Sequence, residues 1–423
     1  MLNALANLSG ARRFGSMSET LLLACTFLLT GSMLRAQDLI PGTERGGMVR
    51  LFTSDAATLE SQETRKDLPC TVTPDKPQLG FDLKFHVGYE VTVGLKDLAG
   101  GGNQLTMIFR VTAEDKPDGP AYFSQHITVP PIGEDERGSA FLQGAFDVGE
   151  GKYHVDWLMR DRAERICSAH WDAEASLAPR DKQMALSIGA EAVAPTDHEP
   201  FRQEPPVERE PTKTPISVKV MVNFAPQDSS AATLQPVDTT ALVSILRNIA
   251  REPRIGSFSV VAYNLQEQRV IYRQEGASQI DFPSLGKALN SLNLGTVDLK
   301  RLTQKHGDSD FLGQFITAEV KEAKNKPDAV IFAGPKVVVD ETISVETLKQ
   351  LGDVKYPVFY MNYNLNPQAN PWRDAIGNAV RYLKGAEYTI SRPRDLFFAW
   401  SEIMGRIVKS KVAAPATGNS SPQ

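Results

Sequence analysis

His154, Asp156, Cys167 and His170 bring two imidazoles, a carboxylate and a thiol into one short window. These side-chain types are zinc ligands, and a Cys–His pair is the nucleophile and base of a thiol hydrolase. Their spacing argues against both uses. On a strand, His154 and Asp156 share one face while Val155 and Trp157 share the other. With the apolar pair in the core, the polar pair is predicted to face solvent. Cys167 cannot serve at once as a metal ligand and as half of a disulfide. No helix start or Gly-rich turn frames it as an activated nucleophile. The chain has 6 histidines in all, little material for a second site of this kind. No catalytic residue and no metal ligand is assigned, and no cofactor is expected.

Phosphate and acyl chemistry need other patterns. Ala333-Gly334-Pro335-Lys336 follows an apolar run but lacks the glycines and the hydroxyl of a phosphate loop. Lys336 therefore reads as a solvated loop lysine. No Gly-x-Ser-x-Gly turn occurs. Phe397, Phe398 and Trp400 fall on a helical pattern and read as core. Tyr360, Asn362, Tyr363 and Asn364 close an apolar run, at the strand end where open sheets bind ligands. With Asn223 and Gln227 they form the expected contact rim.

The elements that must position these residues fall into two domains, as a chain of 423 residues allows. Hydrophobic residues make up 41% and charged residues 23%, a globular balance. The net charge of −5 and the lack of a long basic run exclude a nucleic-acid surface. Arg12 and Arg13 precede the apolar stretch 21–34, which is too short to span a bilayer and ends near small residues. Residues 1–36 are expected to be a signal peptide cut after Ala36, giving an exported protein. An uncleaved anchor is one alternative. A lipoprotein acylated at Cys25 is another, although the apolar run continues past that residue. No later stretch is apolar enough to span a membrane. Cleavage leaves Cys70 and Cys167, and an exported chain with two cysteines is expected to pair them.

Residues 45–190 show period-two alternation without a convincing helix, in seven or eight short runs separated by turn residues. That pattern predicts an antiparallel β-sandwich, an all-β domain. Within it, Asp147-Val-Gly-Glu-Gly-Lys-Tyr153 resembles the tyrosine corner of immunoglobulin-like sandwiches, whose hydroxyl bonds back to the chain upstream. Residues 191–215 form a Pro-rich linker; the stretch 195–215 carries six prolines and few apolar side chains. It is expected to be an extended, semi-rigid spacer that holds the domains apart.

Residues 216–411 alternate apolar β-branched runs with helical patterns, beginning with Ile-Ser-Val-Lys-Val-Met-Val-Asn-Phe at 216–224. This predicts an α/β domain, doubly wound around a mostly parallel sheet. The tail 412–423 is small and polar, and is expected to be disordered.

The order of elements in this second half, with an early hairpin over 257–274 and a closing helix after a short last strand, resembles a von Willebrand factor type A domain. The resemblance implies a divalent cation at the end of the first strand, held by Asp-x-Ser-x-Ser, a middle-loop Thr and an Asp before a later Gly. Here those positions hold Asn223, Ala225 and Gln227, and Ala333 precedes Gly334; Thr296 after Gly295 is the remaining match. One amide and one hydroxyl do not replace two carboxylates around a hard cation. The family's metal site is expected to be lost.

Three functions follow as expectations. The first is a non-enzymatic adhesion-type protein that recognises another protein or a surface polymer. The second is a structural or assembly component of the cell envelope. The third is a hydrolase using the His154 cluster.

Overall fold

The computed structural model describes residues 38–40, 52–197, 199–211, 215–228, 231–292, 294, 307–321, 326–336 and 343–413. The expected signal peptide, Thr296 and residues 414–423 lie outside the described residues.

The N-terminal half is two antiparallel five-stranded sheets. The chain runs through β1 (Asp38–Ile40), helix α1 (Thr53–Ser61), β2 (Cys70–Pro74), β3 (Gln78–Leu79) and β4 (Phe85–Gly94). It continues through the short helix α2 (Leu95–Leu98), β5 (Asn103–Ala113), β6 (Lys116–Val129) and β7 (Ser139–Val148). β8 (Gly151–Arg160), β9 (Ile166–Ala175) and β10 (Val193–Pro195) complete it. One sheet has the order β1-β6-β5-β8-β9; the other is β10-β7-β4-β2, with β3 also pairing β4. Their inner faces meet in one core around Val87, Tyr89, Phe109, Phe123, Phe146, Val155 and Trp157. The disulfide Cys70–Cys167 ties β2 of one sheet to β9 of the other. The tyrosine corner is formed: Tyr153 Oη donates to Gly149 O at 3.0 Å.

Helix α1 falls where the alternation predicted no helix. Its sequence has no apolar stripe, which is why the pattern missed it. It lies on the outer face of the first sheet, where Leu59 joins Ile108, Leu158 and Ile166 in a small second cluster. This cover changes the environment of Asp156, which is 2% exposed where the alternation predicted solvent.

The C-terminal half contains β11 (Ile216–Asn223), α3 (Pro236–Ala250), β12 (Ile255–Asn264), β13 (Arg269–Ala277) and α4 (Phe282–Leu289). Then come α5 (Gly307–Ile316), β14 (Ala329–Pro335), α6 (Val345–Lys349), β15 (Val358–Tyr363), α7 (Ala375–Tyr382), β16 (Ala386–Ile390) and α8 (Pro393–Ala413). The sheet order is β13-β12-β11-β14-β15-β16, parallel except for the antiparallel β12–β13 edge. α3, α4 and α8 cover one face and α5, α6 and α7 the other. β11 is buried on both faces, which explains why it is rich in β-branched residues. Strands are added on one side of β11 as far as β13 and on its other side from β14 onward, so the carboxyl ends of β11 and β14 flank the switch point where such sheets open to ligands.

The linker is not a free spacer. Arg209 donates to the carbonyls of Ala250, Glu252 and Ser278, and Gln203 donates to Ile280 O. Glu204 pairs with Arg247 at 2.9 Å and with Arg251 at 2.7 Å, two arginines one turn apart on or just beyond α3. Phe201 packs against the core of the α/β half. The prolines that favour extension here lay the segment along α3 instead of projecting it. The halves also touch directly. Phe397 of α8 packs on the sandwich core, and Arg394 pairs with Asp181 at 2.9 Å. Among the described residues no helix is long and apolar enough to cross a membrane.

Candidate functional site

The expected contact rim divides into buried and displayed residues. Asn223, Tyr360, Asn362, Tyr363 and Asn364 are all 0% exposed, so their side chains brace the rim and do not present themselves to a partner. Gln227 is half-buried. Tyr360 lies mid-strand in β15, while Asn223, Asn362, Tyr363 and Asn364 sit at or next to strand ends.

Asn223 ends β11, paired in register with Tyr263, and its Oδ1 accepts the Leu265 N–H at 3.1 Å. Gly334 at the end of β14 has φ +157°, and a Cβ there would lie 2.8 Å from Asn223 Cβ. Only glycine lets the two strand ends approach this closely. Tyr360 Oη lies 2.9 Å from Asp374 Oδ2 and 3.2 Å from Pro335 O. Burial, and then the Asp374 charge, hold its hydroxyl far above the usual tyrosine range. Asp374 caps α7 by accepting the Gly377 N–H at 2.8 Å. Asn362 Nδ2 donates to Glu387 Oε1 at 2.8 Å, and Arg373 Nε donates to the other Glu387 oxygen at 3.0 Å.

Asn364 is the hub of the loop that follows β15. Its Oδ1 accepts from Gln227 Nε2 at 3.2 Å and from the Asn366 N–H at 3.1 Å, and its Nδ2 donates to Asn370 O at 3.3 Å. Lys336 is a second anchor and not a solvated lysine. Its ammonium donates to the carbonyls of Asn370 and Trp372 and stands 5.6 Å from the Trp372 ring centre. The braced loop displays Leu365, 37% exposed, and Trp372, 38% exposed. Beside it lies an open cleft of about 590 Å³, lined by residues 365–369 with Ser391 and Arg392. Sequence reading placed the rim one segment early. The exposed Trp372 between Pro371 and Arg373 was the signal for the loop itself.

The structure ties His154 and Asp156 to neighbouring side chains and places Cys167 in the disulfide. His154 Nδ1 lies 2.6 Å from Asp172 Oδ1 and its Nε2 3.2 Å from Asp156 Oδ1, with Gln62 Nε2 at 3.0 Å. Arg110 holds the other Asp156 oxygen through Nε at 3.0 Å and Nη2 at 2.8 Å. The His170 ring centre is 6.3 Å from that of His154. Cys167 is buried in its disulfide, which removes the thiolate that either reading needed.

Among the described residues one three-membered group has the ligand types and closeness of a metal site: Asp82, His86 and Asp147. Asp82, Lys84 and His86 recur at every second position as the chain enters β4, which is the sequence signal for this group. His86 Nδ1 lies 2.7 Å from Asp147 Oδ1 and Nε2 3.0 Å from Asp82 Oδ1. Burial alone would lower this imidazole's pKa. The bonds to Asp147 and Asp82 outweigh burial and raise it to about 10. Both ring nitrogens face carboxylate oxygens. Lys84 Nζ, 3.2 Å from Asp147 Oδ2, already supplies a cation. Thr196 Oγ1 donates to Asp147 Oδ1 at 2.8 Å, so the group fastens the root of the linker to the sandwich.

No protein-family model matches the chain, and no curated protein matches it. Solved structures resemble it at low levels. PilB minor pilin from Streptococcus sanguinis is 9% identical with a TM-score of 0.25, over 73% of this chain and 89% of that one. A glycosyl hydrolase family 2 member from Bacteroides cellulosilyticus DSM 14838 is 9% identical with a TM-score of 0.18, over 76% of this chain and 39% of that one. A structural-genomics target, SoR45, is 13% identical with a TM-score of 0.18, over 27% of this chain and 93% of that one. At these scores the likenesses carry no functional argument. What stands is a disulfide-linked sandwich joined to a sheet with helices on both faces.

Proposed function

We propose that this chain is an exported, non-enzymatic binding protein whose C-terminal, von Willebrand type A-like half recognises another protein or a surface polymer without a metal ion. One observation carries the reading. The loop after β15 is braced from below by Asn364 and Lys336, yet turns Leu365 and Trp372 outward at the carboxyl end of the sheet. A loop held in one conformation that turns apolar and aromatic side chains outward can dock a partner at little ordering cost. The disulfide agrees with an oxidising compartment.

The test is capture of a crosslinked partner in the native host by the full chain and by the double variant Leu365→Ala/Trp372→Ala. Loss of a specific partner at an unchanged melting temperature supports the proposal. Equal capture by both proteins overturns it. Elution of the purified chain as a large homo-oligomer that recovers no partner would favour an assembly component instead.

A further inference from the structure

We infer that the open cleft beside the 364–373 loop binds a polysaccharide that carries carboxylates, with Arg392 receiving the carboxylate and Asn366, Gln368 and Ser391 the sugar hydroxyls. This rests on the binding role proposed above and names the chemistry of its ligand.

Strand register sets the cleft. β15 and β16 run parallel and end side by side, with Tyr363 paired to Ile390 and the Asn364 N–H donating to Ile390 O at 3.0 Å. The chain therefore leaves both strands at the same carboxyl edge. From β15 it enters the 364–373 loop, and from β16 it enters Ser391-Arg392 ahead of α8. These two exits line the space of about 590 Å³. Sites that hold small ligands span roughly 300–1,000 Å³, and they favour this end of an open sheet.

The cleft wall is fixed through its backbone and free at its side chains. The Asn366 N–H donates to Asn364 Oδ1 at 3.1 Å, and Asn366 O accepts the N–H groups of Ala369 and Asn370, each at 3.1 Å. The side-chain amides of Asn366 and Gln368 and the Ser391 hydroxyl make no hydrogen bond among the described residues. Amides and hydroxyls both donate and accept, as a row of sugar hydroxyls requires. Leu365, Pro367 and Ala369 supply apolar surface for the C–H groups of a sugar ring.

Charge narrows the class. Among the described residues no carboxylate lines the cleft, so it has no ligand for a hard cation and no counter-charge for a basic peptide. Arg392 is the charged residue on its wall. The side chain is 62% exposed, and Asp395 Oδ2 stands 3.8 Å from its Nε, beyond hydrogen-bond reach. That same oxygen already accepts the Ser391 N–H at 3.2 Å. The guanidinium fork is left for a carboxylate, which it binds through two parallel bonds. The chain as a whole carries a net charge of −5, so general attraction does not hold a polyanion and a local site must.

The experiment is affinity electrophoresis of the full chain in gels cast with polygalacturonate, alginate or hyaluronate. Dextran serves as the uncharged polysaccharide and polyglutamate as the polyanion without sugar. Retardation by at least one uronate polymer and by neither control supports the inference. Retardation by none of the three, or equal retardation by a control, overturns it. Arg392→Gln should raise the apparent Kd for the retained polymer roughly tenfold or more. Its melting temperature should not change, because the side chain is exposed and makes no hydrogen bond in the fold. Asn366→Ala/Gln368→Ala should weaken binding too. Variants that bind like wild type would move the polymer to another surface and overturn the assignment. A protein partner that the Leu365→Ala/Trp372→Ala variant loses, with no uronate polymer retained, overturns this inference and leaves the binding role standing. Absence of both partner and polymer overturns the two together.

Discussion

Phe81, in the turn before β4 of the sandwich, meets Tyr363 at the end of β15 edge-on, with ring centres 6.1 Å apart and planes at 80°. An edge-to-face pair of this kind contributes about 0.5–1.5 kcal/mol beyond its buried area. With Phe397 on the sandwich core and the Arg394–Asp181 pair, it couples the two halves. Calorimetry of the full chain should show one cooperative transition, and the variant Phe81→Ala/Arg394→Ala should split it into two. Two transitions already present in wild type would contradict the coupling.

The tyrosine corner gives a prediction local to the sandwich. Tyr153→Phe removes the bond to Gly149 O from a side chain that is 2% exposed. The expected loss is about 1 kcal/mol in denaturant unfolding, with an unchanged m-value.

A buried ion group lies at the opposite end of the C-terminal sheet from the rim. Lys219 on β11 and Glu319 after α5, 5% and 4% exposed at the side chain, stand 2.5 Å apart, and Arg273 bonds the same carboxylate. Burial would raise the Glu319 carboxyl's pKa; Arg273 and Lys219 outweigh that and lower it. Lys219→Ala leaves a buried carboxylate with one cation fewer and should cost about 3–5 kcal/mol. Lys219→Met/Glu319→Leu should cost far less, because the desolvated charges leave together. Equal losses for the two variants would rule out this account.

His86 sets a pH dependence. Its folded pKa of about 10 lies above the ordinary 6.5, so the native state holds a proton that the unfolded chain releases between those values. Its contribution is therefore complete below about pH 6.5 and is lost as pH rises through about 10. The facing groups are Asp82, Asp147, Lys84 and Thr196. Melting temperature should fall from pH 7 to 10.5 more steeply for wild type than for His86→Gln. Parallel curves would assign the fall to other lysines and tyrosines.

The disulfide closes a loop of sequence separation 97. Removing it with Cys70→Ser/Cys167→Ser should cost about 2–5 kcal/mol. Thiol labelling of the unfolded, unreduced protein should find neither cysteine reactive; two labelled thiols would show that the bond does not form.

Much of the architecture was legible because burial patterns write themselves into period. β4 through β9 came from alternation, β11 from its β-branched content, β14 and β15 from apolar runs, and Cys70–Cys167 from their number. The tyrosine corner was read from local turn chemistry. The misses share a cause, which is that their structure is settled by distant chain. α1 carries Asp55, Thr58 and Leu59 inward without a stripe, so only its contact with β8 makes it a helix. The linker's fate depended on Arg247 and Arg251 waiting on and just past α3. Asn362 and Asn364 read as a surface because polar residues at a strand end look alike whether roofed or open. The roof here is built by the 364–373 loop and the N-terminus of α7, neither of which has a periodic signature.

Because residues 199–211 run along α3 and α4 rather than hang between the halves, the sandwich becomes a handle of fixed bearing for the Trp372 loop. Under the proposed binding role, a docking partner would forfeit little orientational freedom in this chain, since that freedom is already surrendered during folding. Force applied at the sandwich likewise travels to the loop through packed side chains and paired charges, with no slack tether to take it up first.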